Sequence, residues 1–440
     1  MTKQDILKIV KKKKIAFLRL WFTDVLGFLK SFDIPVQELP HALNEGMGFD
    51  GSSIEGFSRV EESDMVVKPD ISTFQIMPWD TEEGPVARMF CDVIEPGSGK
   101  PFEGDPRYVL KRNLAEARKM GYVFNVGPEL EYFYFRNAGG TEILDKGGYF
   151  DLTPMDIGQD LRRKTVLALE KMGIEVEYWH HEVASSQHEI DLRYNEALLM
   201  ADNVMTYRMI VKEVAMQQNM YATFMPKPVY GINGSGMHTH MSLFKGKRNA
   251  FYNKNDKTHL SDTAKYFIAG LLKHATEICS VCCQWVNSYK RLIPGYEAPV
   301  YVSWAHRNRS ALIRIPMYKP GKEMATRVEL RNPDPACNPY LAFSVMLAAG
   351  LEGIRKKYKL PKQVTNNVYR MTEEERQALG IDSLPNDLYD AIRITEKSAL
   401  VKKALGDKVF EYFIRNKKDE WDEYRKQVTR HEIDRYLAIL

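Results

Sequence analysis

Four groups of residues have types and spacings suited to chemistry. Residues 126–135, VGPELEYFYF, read as a strand. Side chains at i and i+2 share a strand face, so Glu129 and Glu131 project together, roughly 7 Å apart at a strand's rise. Such a pair can serve two adjacent cations, or it can be two solvated acids. In HHEVASSQHEIDLRY, residues 180–194, ASSQ (184–187) reads as a loop. If Val183 pairs with His188 across it, Glu182 faces Glu189. Like charges directly opposed on strands repel, and a cation between them converts that cost into binding. A different register, or two solvated acids, is the plainer alternative. In NGSGMHTHMS, residues 233–242, a glycine-rich turn feeds an alternating run that puts His238, His240 and Ser242 on one face. Backbone near glycine can approach a ligand closely. Glutamate and histidine without cysteine suit Mg2+ or Mn2+ better than structural zinc.

The fourth group is cationic. KRLIPGYE (290–297) carries Arg291 and Glu297, and HRNRSALIR (306–314) carries Arg307, Arg309 and Arg314. RVELR (327–331) puts Arg327, Glu329 and Arg331 on one face of a strand. Guanidinium groups bind carboxylate and phosphate bidentately and stay charged. Glu329 can be their salt-bridge partner or one more metal ligand. Many arginines beside many carboxylates point to a polyanionic substrate held with cations, hence to phosphoryl chemistry.

Other chemistries are excluded. GSGK at 97–100 resembles part of a phosphate loop, but that motif needs glycine and Ser/Thr where Ile94 and Pro101 stand. No G-x-G-x-x-G fingerprint is present. The formal net charge is only +4 over 440 residues, which argues against direct nucleic-acid binding. Lys11–Lys14 read as a solvated helix face. No run of 18 apolar residues occurs, so no membrane span is expected. The N-terminus lacks the features of a signal peptide. The five cysteines include the cluster Cys279, Cys282 and Cys283, with no second pair at zinc-finger spacing. Free buried thiols and a cytoplasmic location are the expectation.

The elements that must position these groups can be read coarsely. Residues 15–22 and 28–34 form a hairpin around TDVLG. EPGSGKPFEGDP, 95–106, is dense in glycine and proline and marks a domain boundary. Asp105 and Pro106 then open a helix that Gly121 closes. Strand-like runs follow at 122–135, 174–183, 188–194, 221–226, 237–244, 299–304 and 311–315. Helix-like runs occupy 157–172, 196–218, 262–283, 339–358 and much of 386–427. The expected class is α+β: a small β-rich N-terminal domain and a large α+β domain.

Taken together the motifs resemble type I glutamine synthetase along essentially the whole chain. They are FDGSSIEGF (49–57), GPELEYF (127–133), HHEVASSQHE (180–189), NGSGMHTHMS (233–242), NSYKRLIPGYEAP (287–299), HRNRS (306–310) and RVELRNPDPACNPYL (327–341), in the family's order. The resemblance implies a β-grasp domain over 14–99 and a catalytic domain over 106–440 built on a curved antiparallel sheet. It implies ATP-dependent ligation of ammonia to L-glutamate through γ-glutamyl phosphate, with two or more Mg2+ or Mn2+ ions per subunit. Glu131, Glu182 and Glu189 would hold one ion, and Glu129, His238 and Glu329 the other. Glu177, His240 and Ser242 would line the ATP site, with Arg309 and Arg314 on the phosphates. Asn233, Gly234, Arg291 and Arg331, with Glu297 and Arg309, would hold glutamate. Arg309, Arg314 and Arg327 would face the transferred phosphoryl group, and Glu297 would sit on a closing flap. Asp50 and Ser53 match an ammonium-site loop that reaches the neighbouring subunit in a dodecamer of two hexameric rings.

RVEESDM (59–65), with Arg59, is similar to the shorter subclass, which is feedback-inhibited by glutamine and can partner transcription factors. Tyr389 matches a position adenylylated in the longer subclass, but the Leu-Pro-Pro that follows it there is absent, so no modification is expected. One rival is a two-metal hydrolase, against which the arginine set argues; two others are a γ-glutamyl ligase using another amine and a non-catalytic sensor or structural relative. The intact Asp50 loop and the full set of six metal ligands argue against them.

Overall fold

The computed structural model describes residues 1–54, 56 and 64–440. Helix α1 (Lys3–Lys13) leads into the hairpin of β1 (Phe17–Thr23) and β2 (Leu29–Pro35), which turns through Gly27 at φ +86°. Helix α2 (Leu39–Asn44), β3 (Met47–Asp50), β4 (Asp64–Pro69), β5 (Gln75–Thr81) and β6 (Gly84–Ile94) complete the N-terminal unit. Its sheet runs β2-β1-β6-β4-β3, with β5 also on β6. The β1–β6 pairing is parallel and the others antiparallel. Alternation along β1 sends side chains to two cores. Leu18, Leu20 and Phe22 join Ile6 and Val10 of α1, whereas Trp21 meets Phe90 in the larger core shared with the rest of the chain.

Asp105 joins the two units. Its Oδ1 accepts from Arg107 N–H at 2.9 Å, capping α3 (Pro106–Lys119), while Oδ2 accepts from Val93 N–H at 3.1 Å in β6. Gly121, at φ +79°, follows the helix end. Then come β7 (Val123–Phe135), α4 (Gln159–Lys171), β8 (Val176–His181), β9 (Gln187–Leu192), β10 (Asn195–Glu196) and α5 (Ala197–Gln217). They are followed by β11 (Tyr221–Thr223), β12 (Met237–Lys245), β13 (Arg248–Asn249), α6 (Asp262–Lys273), α7 (Ala275–Cys282) and α8 (Val286–Arg291). Next are β14 (Trp304–His306), β15 (Ile313–Ile315), β16 (Val328–Leu330) and α9 (Pro339–Lys356). Five helices end the chain: α10 (Glu373–Ala378), α11 (Leu388–Thr395), α12 (Ala399–Leu405), α13 (Asp407–Tyr424) and α14 (Arg430–Tyr436). The second sheet runs β14-β15-β16-β12-β7-β9-β8, with β10 and β11 on β7 and β13 on β12. It curls around the acidic face of β7, and α3, α5 and α9 pack into the core behind it. The class is α+β, as expected.

Some expected elements divide. The run 262–283 forms two helices because His274, at ψ 11°, ends α6 and starts α7, and its Nδ1 bonds Glu277 Oε1 at 2.8 Å. The run 386–427 breaks where Ser398 caps α12 and where Gly406, at φ +81°, precedes α13. Of 299–304 only Trp304 is strand. All five cysteines are free and buried. Among the described residues no helix is long and apolar enough to cross a membrane.

Candidate active site

Strand β7 is the axis of the site. Its Glu129 and Glu131 lie opposite Asp191 and Glu189 of β9, and on its other side His238 of β12 lies opposite Glu129. His240 lies opposite Glu329 of β16, which lies opposite Arg314 of β15. Five strands thus deliver acids, imidazoles and guanidiniums to one concave face by parity alone. They line a cavity of about 300 Å³. Glu129, Glu131, Glu182, Glu189, Asn233, Gly234, His238, His240, Arg291, Glu297, Arg309, Arg314, Arg327, Glu329 and Arg331 all reach it.

The β8–β9 hairpin corrects one expectation. Glu189 pairs with His180 and not with Glu182; His181 pairs with His188, and Glu182 N–H donates to Gln187 O at 2.8 Å. The loop is 183–186. Ser186 takes φ +63° there, and its N–H donates to Asp145 Oδ1 at 3.0 Å. The register differs by two residues from the expected one, an even shift, so Glu182 stays on the cavity face. His180 Nε2 lies 2.9 Å from Glu182 Oε1 and 3.8 Å from Glu189 Oε1.

Three overlapping sets of donors in the cavity could each hold a cation. Glu129, His238 and Glu329 bring ligand atoms within 4.8 Å of one another; so do Glu131, Glu189 and His238, and so do His180, Glu182 and Glu189. Glu131 Oε2 accepts from Gln187 Nε2 at 2.8 Å and from Gly236 N–H at 2.9 Å. Burial and then the charge of Glu182 still push its pKa up to about 8. Burial, then the charges of Asp191, Glu129, Glu131 and Glu182, push Glu189 well above the carboxylate range. Burial and Glu129 push Asp191 to about 7. Clustered acids of this kind lack counter-charge, which a divalent cation supplies. Burial also acts to raise Glu129, but the His240 and His238 imidazoles outweigh it and leave Glu129 well below its usual value. The donors are oxygen and imidazole with no thiolate, which fits a hard divalent ion.

The opposite wall is cationic. Glu329 accepts from Arg331 Nε at 3.1 Å and from Arg314. Arg331 also donates to the Arg309 carbonyl. Arg291, 3% exposed, donates to Asn332 O at 2.7 Å and Arg331 O at 3.1 Å. Main-chain carbonyls therefore fix Arg291 without neutralising it, whereas Arg314 and Arg331 share the single charge of Glu329. Arg327 Nε donates to His240 Nδ1 at 3.1 Å, which leaves His240 Nε2–H to donate to Glu129 Oε1 at 2.6 Å. A connected recess is lined by Asn125, Glu177, Tyr178, Asp191, His240 and Ser242. At the far end Asn233 Nδ2 donates to Glu297 Oε2 at 3.0 Å.

Two residues expected near the chemistry are not brought to it by this chain. Asp50 ends the edge strand β3 in the other sheet, exposed, its Oδ1 accepting from Ser52 N–H at 2.8 Å, which lowers its pKa. Ser53 lies in the exposed turn that follows. Arg59 falls outside the described residues. Tyr389 sits on α11, half exposed and stacked on Trp421. Conversely, Tyr149, Tyr178, Gln187, Asp191 and Tyr296 line the cavity or recess without having been singled out. Tyr149 hydrogen-bonds Arg309 through its side chain. Gln187 and Asp191 share the parity of Glu189, a signal that was available.

Comparisons with known proteins agree with this geometry. Residues 14–96 match the glutamine synthetase β-grasp domain, and residues 103–436 match the glutamine synthetase catalytic domain. The chain belongs to the glutamine synthetase family, type I. The glutamine synthetase of Mycolicibacterium smegmatis is 54% identical, covering 99% of both chains. That of Methanosarcina mazei is 53% identical, over 100% of this chain and 98% of its own. The cryo-EM structure of Plasmodium falciparum glutamine synthetase superposes with a TM-score of 0.89 at 26% identity, covering 99% of both chains. A structure titled GmaS/ADP complex gives 0.90 at 30% identity with the same coverage. The enzyme class is that of glutamine synthetases, glutamate–ammonia ligases, and the family uses divalent metal ions.

Proposed function

We propose that this cavity joins ammonia to the γ-carboxylate of L-glutamate, with ATP activating the carboxylate as γ-glutamyl phosphate. One observation carries the reading of the residues: a wall of buried glutamates and histidines faces a wall of arginines across a single cavity. Glu131, Glu182 and Glu189 would hold one Mg2+ or Mn2+ ion, and Glu129, His238 and Glu329 a second. Divalent cations held there would supply counter-charge for the phosphoryl oxygens. The recess beside Ser242, His240 and Glu177 takes the nucleotide. Asn233, Gly234, Arg291 and Arg331 take glutamate at the other end.

A carboxylate is a poor acyl donor because its leaving group would be an oxide. In the first step a γ-carboxylate oxygen attacks the terminal phosphorus of ATP and the bond to ADP breaks. Arg309, Arg314 and Arg327 face the charge on the transferring group. Ammonium has no lone pair, so it must lose a proton before it attacks. Asp50 of a neighbouring copy, with Ser53, binds it and takes that proton. Ammonia then attacks the acyl carbon, the bond to phosphate breaks, and Glu297 accepts the next proton. The flap that carries Glu297 keeps water from the intermediate. That Asp50 lies outside its own chain's cavity supports a ring assembly with shared sites, a dodecamer of two hexamers.

ATP-, glutamate- and ammonium-dependent release of phosphate, coupled to glutamine formation, tests the reading. Ammonium should be preferred to methylamine or a polyamine. Preference for an amine would replace ammonia with that amine as the nucleophile.

A further inference from the structure

Lys227 has no place in the chemistry above, yet it is buried beneath the flap, with 8% of its surface exposed. Its backbone is clamped by Asn287: the Lys227 N–H donates to Asn287 Oδ1 at 2.7 Å, and Asn287 Nδ2 donates to Lys227 O at 3.0 Å. Asn287 lies in the first turn of α8, the helix that ends in Arg291. The side chain runs along Gly234, where a Cβ would stand 3.2 Å from Lys227 Cδ. At its end Nζ donates to the Ile232 carbonyl and lies 3.8 Å from the centroid of the Tyr296 ring.

A buried ammonium needs compensation. Here the compensation comes from a carbonyl of the loop carrying Asn233 and from the ring face of a flap residue. Tyr296 stands between Gly295, at φ +97°, and Glu297, at φ +57°. Residues 293–295 are exposed. A non-glycine residue in the left-handed region is strained and persists only where its surroundings hold it. Two tethers flank that strain: Glu297 to Asn233, and Tyr296 to Lys227. Both run to the 226–236 segment that contributes to the glutamate end of the cavity.

We propose that Lys227 is a positioning residue that latches the flap shut through the Tyr296 ring, so that ammonia rather than water reaches the acyl phosphate. The inference rests on the acyl-phosphate reading above. When the latch fails, water attacks the acyl carbon, the bond to phosphate breaks, and glutamate and inorganic phosphate are returned. The net reaction is then ATP hydrolysis with no amide formed. A desolvated cation–π contact of this kind shifts a closed–open equilibrium by about tenfold.

The test measures phosphate and glutamine in the same reaction mixture on the full-length enzyme at limiting ammonium. Wild type should give one phosphate per glutamine; if it makes no glutamine from ATP, glutamate and ammonium, the underlying functional reading fails instead. Lys227→Met should release phosphate in excess of glutamine, and Lys227→Arg, which keeps a cation over the ring, should restore coupling. Tyr296→Leu should leak as Lys227→Met does, and Tyr296→Phe should not. The double variant Lys227→Met/Tyr296→Leu should leak no more than either single one. Coupling that stays at one-to-one in both Lys227→Met and Tyr296→Leu overturns the proposal. So does a leak in Tyr296→Phe equal to that in Tyr296→Leu. If Lys227→Met fails to fold, the two Tyr296 variants decide the matter alone.

Discussion

Glu131 of β7 and Glu189 of β9 stand directly opposite one another, both less than a tenth exposed. Burial and neighbouring acids raise both pKa values, that of Glu131 to about 8. A carboxylate raised in the folded state keeps a proton that the unfolded chain has lost above about pH 4.3. The unfolded state then binds fewer protons, so stability falls as pH rises through that window. Metal-stripped protein should therefore melt at lower temperature at about pH 8 than at about pH 5.5. Mg2+ or Mn2+ should reverse the loss, with a stabilisation that grows with pH and reaches about 2.7 kcal/mol at a hundredfold excess over Kd. Calorimetric scans with and without metal measure it. A metal-free midpoint that does not change with pH would contradict the pairing.

Arg107 is the hinge pin between the two units. It is 2% exposed and donates to Asp92 Oδ1 at 2.6 Å, Asp70 Oδ2 at 2.8 Å and Asp202 Oδ2 at 3.0 Å. Asp92 lies in β6 and Asp70 follows β4, while Asp202 lies in α5 of the larger unit. Removing the guanidinium leaves carboxylates short of counter-charge at a closed junction. Arg107→Ala should cost about 3–5 kcal/mol, read as a lower urea midpoint.

Much of the site was legible because strands obey parity. Glu129 with Glu131, His238 with His240, and Arg327 with Glu329 and Arg331 were placed on common faces by counting alone, and they meet in one cavity. Counting could not fix where the β8–β9 hairpin turns. That depends on Ser186 and a hydrogen bond to Asp145, some forty residues away in sequence. Tyr149 and Tyr296 come from irregular segments, where no period exists to read. The break at His274 lies inside an apolar run whose helical pattern continues across it; it is a backbone departure at one residue, φ −104° and ψ 11°, which periodicity does not register.

Glu329 is 1% exposed between Arg331 and Arg314. Glu329→Gln keeps its shape and removes its charge. Turnover should fall by about 10²–10³ if that charge supports transition-state stabilisation. Titration of the metal-free variant with Mn2+ should lose the ion shared with Glu129 and His238 and keep the one shared by Glu131, Glu182 and Glu189. Glutamine formation at the wild-type rate would remove Glu329 from the ligand set.

Asp50 and Glu329 lie on different sheets, and only Glu329 lines this chain's cavity. If a neighbouring copy supplies Asp50, a defect at each position can be complemented. Asp50→Ala and Glu329→Gln should each be nearly inactive alone. After joint unfolding and refolding, mixed rings contain sites where an intact Asp50 from one subunit meets an intact Glu329 from the next. Activity should reappear in the mixture and rise to a maximum at an intermediate ratio. Refolding either variant separately controls for recovery without mixing. If Asp50 instead served its own chain, every site in a mixed ring would still carry one of the two defects, and mixing would restore nothing.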